Sequence, residues 1–152
     1  MRARLVALVS LLASFAPDHA FADPPASTSR AAAGVRLVGL ARSSSTDVPR
    51  EPEYVLSNLT DAPRVVDVVA LWSLGNEGLR ERLAVTSSRR ITLAPHARRT
   101  LAIEYAGRAI NLGGGLTYHR FELVIAVGGE RLAAIASTAY ICRIPLRRPT
   151  PP

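Results

Sequence analysis

The stretch Arg64–Leu74, RVVDVVALWSL, decides how the rest of the chain is read. Taken with the two-residue period of a strand, Val66, Val68, Ala70, Trp72 and Leu74 fall on one apolar face. Val65, Asp67, Val69, Leu71 and Ser73 fall on the other, which is mixed. β-Branched residues dominate, and they suit a pleated, packed surface better than a helix. The pattern predicts a central strand whose Trp72, the only tryptophan, anchors the core.

Working back from that strand, Thr60-Asp61-Ala62-Pro63 is turn chemistry, and Tyr54–Leu59 reads as a strand before it. Residues 42–53 (RSSSTDVPREPE) form a polar loop whose two prolines exclude a strand interior, and Val35–Ala41 is a first strand. Residues 23–34 (DPPASTSRAAAG) have no period and read as a disordered lead-in. Residues 1–22 carry an export leader: Arg2 and Arg4, an apolar run from Leu5 to Ala16, and Ala20-Phe21-Ala22 as cleavage site. The run is shorter than the roughly 20 residues a spanning helix needs, so the expectation is cleavage and a periplasmic or secreted chain without a later transmembrane segment.

Working forward, Gly75-Asn76-Glu77-Gly78 reverses the chain into a half-exposed strand over Leu79–Val85, followed by a short strand at Arg90–Leu93. Leu101, Ile103 and Tyr105 alternate with Thr100, Ala102 and Glu104. Residues 106–117 form a loop holding three consecutive glycines. His119, Phe121, Leu123, Ile125 and Val127 make one stripe, and Gly128-Gly129 signals a hairpin returning through Arg131–Ile144. Within that return, Glu130–Tyr140 also suits a short helix, although the β character of Ile141–Ile144 favours strand. Residues 145–152 are a Pro/Arg-rich tail.

These elements predict an all-β fold: a single antiparallel sandwich of seven to eight strands over residues 35–144. The Ser57-Asn58-Leu59-Thr60 strand end, Trp72 on the next strand, the Ile91-Thr92-Leu93-Ala94-Pro95 corner and the late hairpin resemble the small immunoglobulin-like β-sandwich domains of exported bacterial proteins. The resemblance implies architecture and leaves function to the residues.

Composition narrows that function. All 19 basic residues other than histidine are arginine, and removing the leader leaves 17 against 11 acidic residues, a net charge of +6. The arginines are scattered and no aromatic residues interleave with them, which argues against nucleic acid. The sole cysteine, Cys142, cannot form an internal disulfide and reads as a small buried hydrophobe. His96 and His119 with Cys142 lack the spacing and the methionine of a copper site, so no metal or other cofactor is expected. No G-x-S-x-G, S-x-x-K or Cys–His pairing announces a nucleophile, and Asp67 and Glu104 read as salt-bridging to Arg80 or Arg82 rather than as an acid–base pair. His119 and Glu122, an odd number of residues apart, belong to opposite faces of a strand, which leaves His119 as a core-edge histidine bonded to backbone. Asn58-Leu59-Thr60 matches the N-glycosylation pattern, but Asn58 is expected to shape the turn.

The expectation is a non-enzymatic binding or structural domain acting through loops or edge strands. Arg42, Arg50 and Arg108, on the two long loops, are the candidate surface for a protein or acidic polymer. The alternatives are a periplasmic pilus-type chaperone donating an exposed strand, 119–127 or 91–105, and a secreted protease inhibitor on the same fold.

Overall fold

The computed structural model describes residues 28–44, 51–111 and 117–140. The leader, residues 23–27, Arg50, the three glycines at 113–115, Cys142 and the tail lie outside the described residues. Eleven strands are described: β1 Ser29–Ala32, β2 Val35–Gly39, β3 Ala41–Ser44, β4 Glu53–Asn58, β5 Arg64–Leu74, β6 Arg80–Val85, β7 Arg90–Leu93, β8 Arg98–Ala102, β9 Tyr105–Ala106, β10 Thr117–Val127 and β11 Glu130–Tyr140. They form two facing sheets, one in the order β1-β2-β4-β8, the other β3-β11-β10-β5-β6-β9 with β7 beside β5. This is an immunoglobulin-like β-sandwich. Among the described residues the one helical turn is Asn76–Gly78, and no helix is long and apolar enough to cross a membrane.

The core is where the inner stripes meet. Leu37, Tyr54, Leu56 and Ile103 come from the smaller-sheet side, and Val66, Leu71, Phe121, Leu123 and Ile125 from the larger sheet. The stripe His119–Val127 is inward along its whole length. Glu130–Tyr140 is a strand, paired residue for residue with β10. Tyr54, fully buried, donates its hydroxyl hydrogen to the Phe121 carbonyl at 3.0 Å and so ties the two sheets together. Burial pushes its phenol far above the ordinary tyrosine range.

Trp72 is not in that core. In the pairing of β5 with β10, Val124 lies opposite Ala70 and Ile125 opposite Val68, so Val69 is an extra residue, a β-bulge. The bulge shifts the alternation by one. Val66 and Val68 point inward before it and Leu71 and Ser73 after it, which turns Trp72 and Leu74 to the outer face. There the half-buried Trp72 lies under the Arg80 guanidinium, 4.7 Å from the ring centroid, and Arg80 is ion-paired to Glu122. The bulge also divides the strand's other edge, with β7 pairing Arg64–Asp67 and β6 pairing Leu71–Leu74.

Three strands go beyond the seven or eight expected. β1 occupies residues read as a disordered lead-in. It forms a hairpin with β2 through a two-residue turn at Ala33 (φ 47°) and Gly34 (φ 73°), the same left-handed pair used by Gly128 and Gly129. β9 is a two-residue pairing to the end of β6. β3 corrects the wholly antiparallel expectation, because it runs parallel to β11. At this crossing Leu40 donates its N–H to Glu53 of the smaller sheet (2.9 Å), and its carbonyl accepts from Ser137 of the larger (3.0 Å). Gly39 permits the close approach, since a Cβ there would run into the Ile135 carbonyl.

Candidate functional site

The end of the sandwich that carries the long loops is built on two inward polar side chains. Ser73 is at the inner face of β5 after the bulge, and His119 opens the inner stripe of β10; their exposures are 0% and 6%. Both reach the same residue of the following loop. Ile110 donates its N–H to Ser73 Oγ at 2.7 Å, and its carbonyl lies 2.7 Å from His119 Nδ1. A carbonyl only accepts, so Nδ1 carries a proton. His119 stacks on Tyr140 at 5.7 Å and is tilted against Phe121 at 6.0 Å. Tyr105, half-buried, packs on Phe121 at 5.4 Å, and its phenol is pushed up by burial and then by the Glu51 carboxylate and Tyr140. Residues 105–111 are thus fastened across the end of the sandwich by buried groups of its two central strands. His119 is the backbone-bonded histidine expected from sequence. Ser73 was missed, because an unrecognised bulge placed it on the wrong face.

Of the three candidate arginines, Arg42 lies on β3 rather than in a free loop, and its Nε donates to Glu53 at 2.9 Å. Arg108 is exposed on the fastened segment and has no ion pair among the described residues. Arg50 lies outside the described residues. The pairing series β3–β11–β10 puts Arg42 opposite Thr138 and Thr138 opposite His119, so Arg42 and Arg108 belong to the same end, although no contact joins them.

The expected salt bridges are corrected. Asp67 is held bidentately by Arg90, at 2.8 and 3.3 Å, and not by Arg80 or Arg82. The hydrogen bonds from Arg90 hold its carboxyl below the ordinary range. Pairing of β7 beside β5 sets Asp67 opposite Arg90, whereas Arg82 lies opposite Trp72 and Arg80 opposite Leu74. Glu104 is exposed, and among the described residues only its backbone carbonyl is bonded, to the Thr86 N–H. Glu122 faces outward to Arg80, opposite in direction to His119, as the odd spacing requires. Among the described residues no group of three or more His, Cys, Asp or Glu is placed to hold a metal.

Strand 119–127, considered as an exposed donor edge, is central, flanked by β11 and β5. Within 91–105, β8 does lie at the edge of its sheet, beside β4 alone, and presents exposed Arg98 and Arg99 there. Charged side chains on such an edge discourage pairing with other chains.

Asn58 is the most heavily bonded side chain of the turn region. Buried to 2% exposure, its amide nitrogen donates to the carbonyls of Ala62 (2.8 Å), Ala94 (2.9 Å) and Leu93 (3.3 Å). Its oxygen accepts from the Thr60 N–H and hydroxyl. This shapes the turn as expected and leaves no free amide for a glycan in the folded chain.

No family model matches the chain, and no curated protein matches it. Among the solved structures similar to the chain are two PapD-like or chaperone domains. The ASH / PapD-like domain of human CEP192 (PapD-like domain 7) shares 10% identity, with TM-score 0.39 over 72% of this chain and 85% of that one. The periplasmic chaperone SfaE shares 15% identity, with TM-score 0.43 over 76% of this chain and 60% of that one. At these identities the likeness concerns fold, and the chain spans only 60% of SfaE.

Proposed function

We propose that the chain is a non-catalytic binding domain, exported to the periplasm or beyond, that meets a protein or acidic polymer through the loop end of its sandwich. One observation carries the reading: two buried polar side chains on the central strands, Ser73 and His119, hold both backbone groups of Ile110. Rigid frames that present loops for recognition fasten them in this way. The contact chemistry is cationic, with exposed Arg108 foremost, Arg50 on the other long loop, and Arg42 sharing its charge with Glu53.

The test is a photo-crosslinking side chain at position 106, exposed on the same segment as Arg108, in the full chain expressed in its native envelope. A discrete adduct that disappears when Arg42, Arg50 and Arg108 are all changed to Glu supports the reading. An adduct pattern unaffected by that triple reversal overturns it. Identification of the adduct separates the alternatives, since pilus subunits would favour a chaperone and a protease would favour an inhibitor.

A further inference from the structure

Strand β6 parts from β5 at the bulge. The two are paired from Leu74–Arg80 to Leu71–Leu83, and in the same register Val69 would next stand opposite Val85. No such pair forms, because Val69 is the extra residue of the bulge and Val85 pairs on its other side with Tyr105. β7 takes up the same edge of β5 only at Asp67, after the Arg89 carbonyl has accepted the Val68 N–H at 2.7 Å. The interval is a cleft of about 290 Å³, walled by Val69 and Ala70 on one side and Leu83–Val85 on the other, with Arg82 and Arg89 completing the lining. That volume stands at the lower end of the roughly 300–1,000 Å³ of ordinary ligand sites.

The cleft joins apolar walls to two cations, and no carboxylate lines it. The Arg82 guanidinium donates to the Val69 carbonyl at 3.4 Å, which anchors it beside the cleft and leaves its other N–H donors uncommitted among the described residues. Arg89 is exposed, and its side chain has no ion pair or hydrogen bond among the described residues. The carboxylate two residues before the bulge, Asp67, is already held by Arg90. Two unmatched guanidiniums beside an apolar cleft call for one negative charge on a compact apolar body. A dry apolar cavity of about 150 Å³ takes a benzene ring, so this cleft has room for a body of that size with a carboxylate beside it.

We propose that the cleft binds a small organic monocarboxylate. Its apolar body lies against Val69, Ala70 and Val85, and its carboxylate lies between Arg82 and Arg89. The site uses neither Ser73, His119 nor the three loop-end arginines, so the inference does not rest on the loop-end reading.

The test titrates the ¹⁵N-labelled full chain with benzoate and follows the backbone amides. Benzamide supplies the same body without the charge, and acetate the charge without the body. Saturable shifts centred on Val69, Ala70, Val85 and Arg89 are expected, with a Kd on the order of 1 mM for a ligand of this size. Benzamide and acetate should each bind roughly tenfold more weakly. Arg89→Gln and Arg82→Gln should each weaken benzoate binding roughly tenfold, and Arg89→Lys by less. Ala84→Phe, at an exposed strand position that suits an aromatic ring, should fill the cleft and abolish binding. Amide spectra unchanged away from the cleft show that each variant is folded, and the wild-type ligand series decides the matter for any that is not. The proposal is overturned by no saturable shift at roughly ten times that concentration, or by benzamide or acetate binding as tightly as benzoate. Shifts centred on the loop end, or undiminished binding in folded Arg89→Gln or Ala84→Phe, overturn it equally.

Discussion

Asn58→Asp changes almost nothing in shape and removes both N–H donors of a buried amide. In the folded chain those donors serve the carbonyls of Ala62, Leu93 and Ala94, which would then face a carboxylate buried to 2% exposure. Two lost N–H donors, shared among three carbonyls, at about 1–3 kcal/mol each, with the desolvated charge added, give a cost of about 3–5 kcal/mol. That is a large share of the roughly 5–15 kcal/mol holding a domain of this size. The loss must also depend on pH in one direction. The new carboxyl's folded-state pKa is raised by burial and by the carbonyls around it, so the folded variant binds a proton more readily than the unfolded one. Its stability therefore recovers as pH falls through the folded pKa, and the protonated acid restores one donor. Urea unfolding followed by the emission of Trp72, the single tryptophan, at pH 7 and pH 4.5 with wild type alongside, reads both effects. A variant within about 1 kcal/mol of wild type, or a difference from wild type that does not narrow at pH 4.5, would refute the assignment of these hydrogen bonds.

Three further outcomes follow from the same packing. Trp72→Ala should cost about 1–2 kcal/mol, from partial burial and the Arg80 contact, against about 3–5 for Phe121→Ala at full burial; equal losses in urea melts would put Trp72 back in the core. Tyr54→Phe should cost about 1 kcal/mol at neutral pH through the lost bond to the Phe121 carbonyl. The folded-state pKa of Tyr54 is raised, so its contribution is present below about pH 10 and is lost as pH rises beyond. The variant's alkaline limb should accordingly be flatter than wild type's, and parallel limbs in a stability–pH series would count against the burial of that phenol. Gly39→Ala should destabilise by about 2–3 kcal/mol, because backbone at Ile135 must move; a melting temperature unchanged from wild type would mean the sheets do not approach so closely there.

The long strands were legible because their chemistry is strictly local. Period-2 alternation marked β10, and Gly128-Gly129 forced its return as β11. What could not be read depended on partners distant in sequence. The bulge at Val69 has no glycine or proline to mark it and exists only relative to the register of β10; one extra residue was enough to exchange Trp72 for Leu71 and Ser73 at the core. The β1–β2 hairpin escaped notice because Ala33 occupies a left-handed position that normally selects Gly, Asn or Asp. At the candidate site, His119 was recognisable from its place in an apolar stripe. Its bond to Ile110 was not, since a backbone carbonyl leaves no signature in sequence. The cleft beside Val69 has the same character, arising where two strands part at a bulge that the sequence does not mark.

The crossing of β2 into β3 also sets an order of events during folding. Ala41 pairs with Ser137, closing a loop of 96 positions, whereas the β10–β11 hairpin closes across two residues. Closing a loop that long costs on the order of 4 kcal/mol in chain entropy, (3/2)RT ln n, before any packing is gained. The hairpin can zip early; the parallel contact has to wait for a formed β11. A chain that has emerged only as far as Val127 thus holds an unpaired β3, a Leu40 carbonyl with no acceptor role, and one open flank of β10. Slow, late closure of this kind places the hazard of edge-to-edge association in the interval before the last strand arrives.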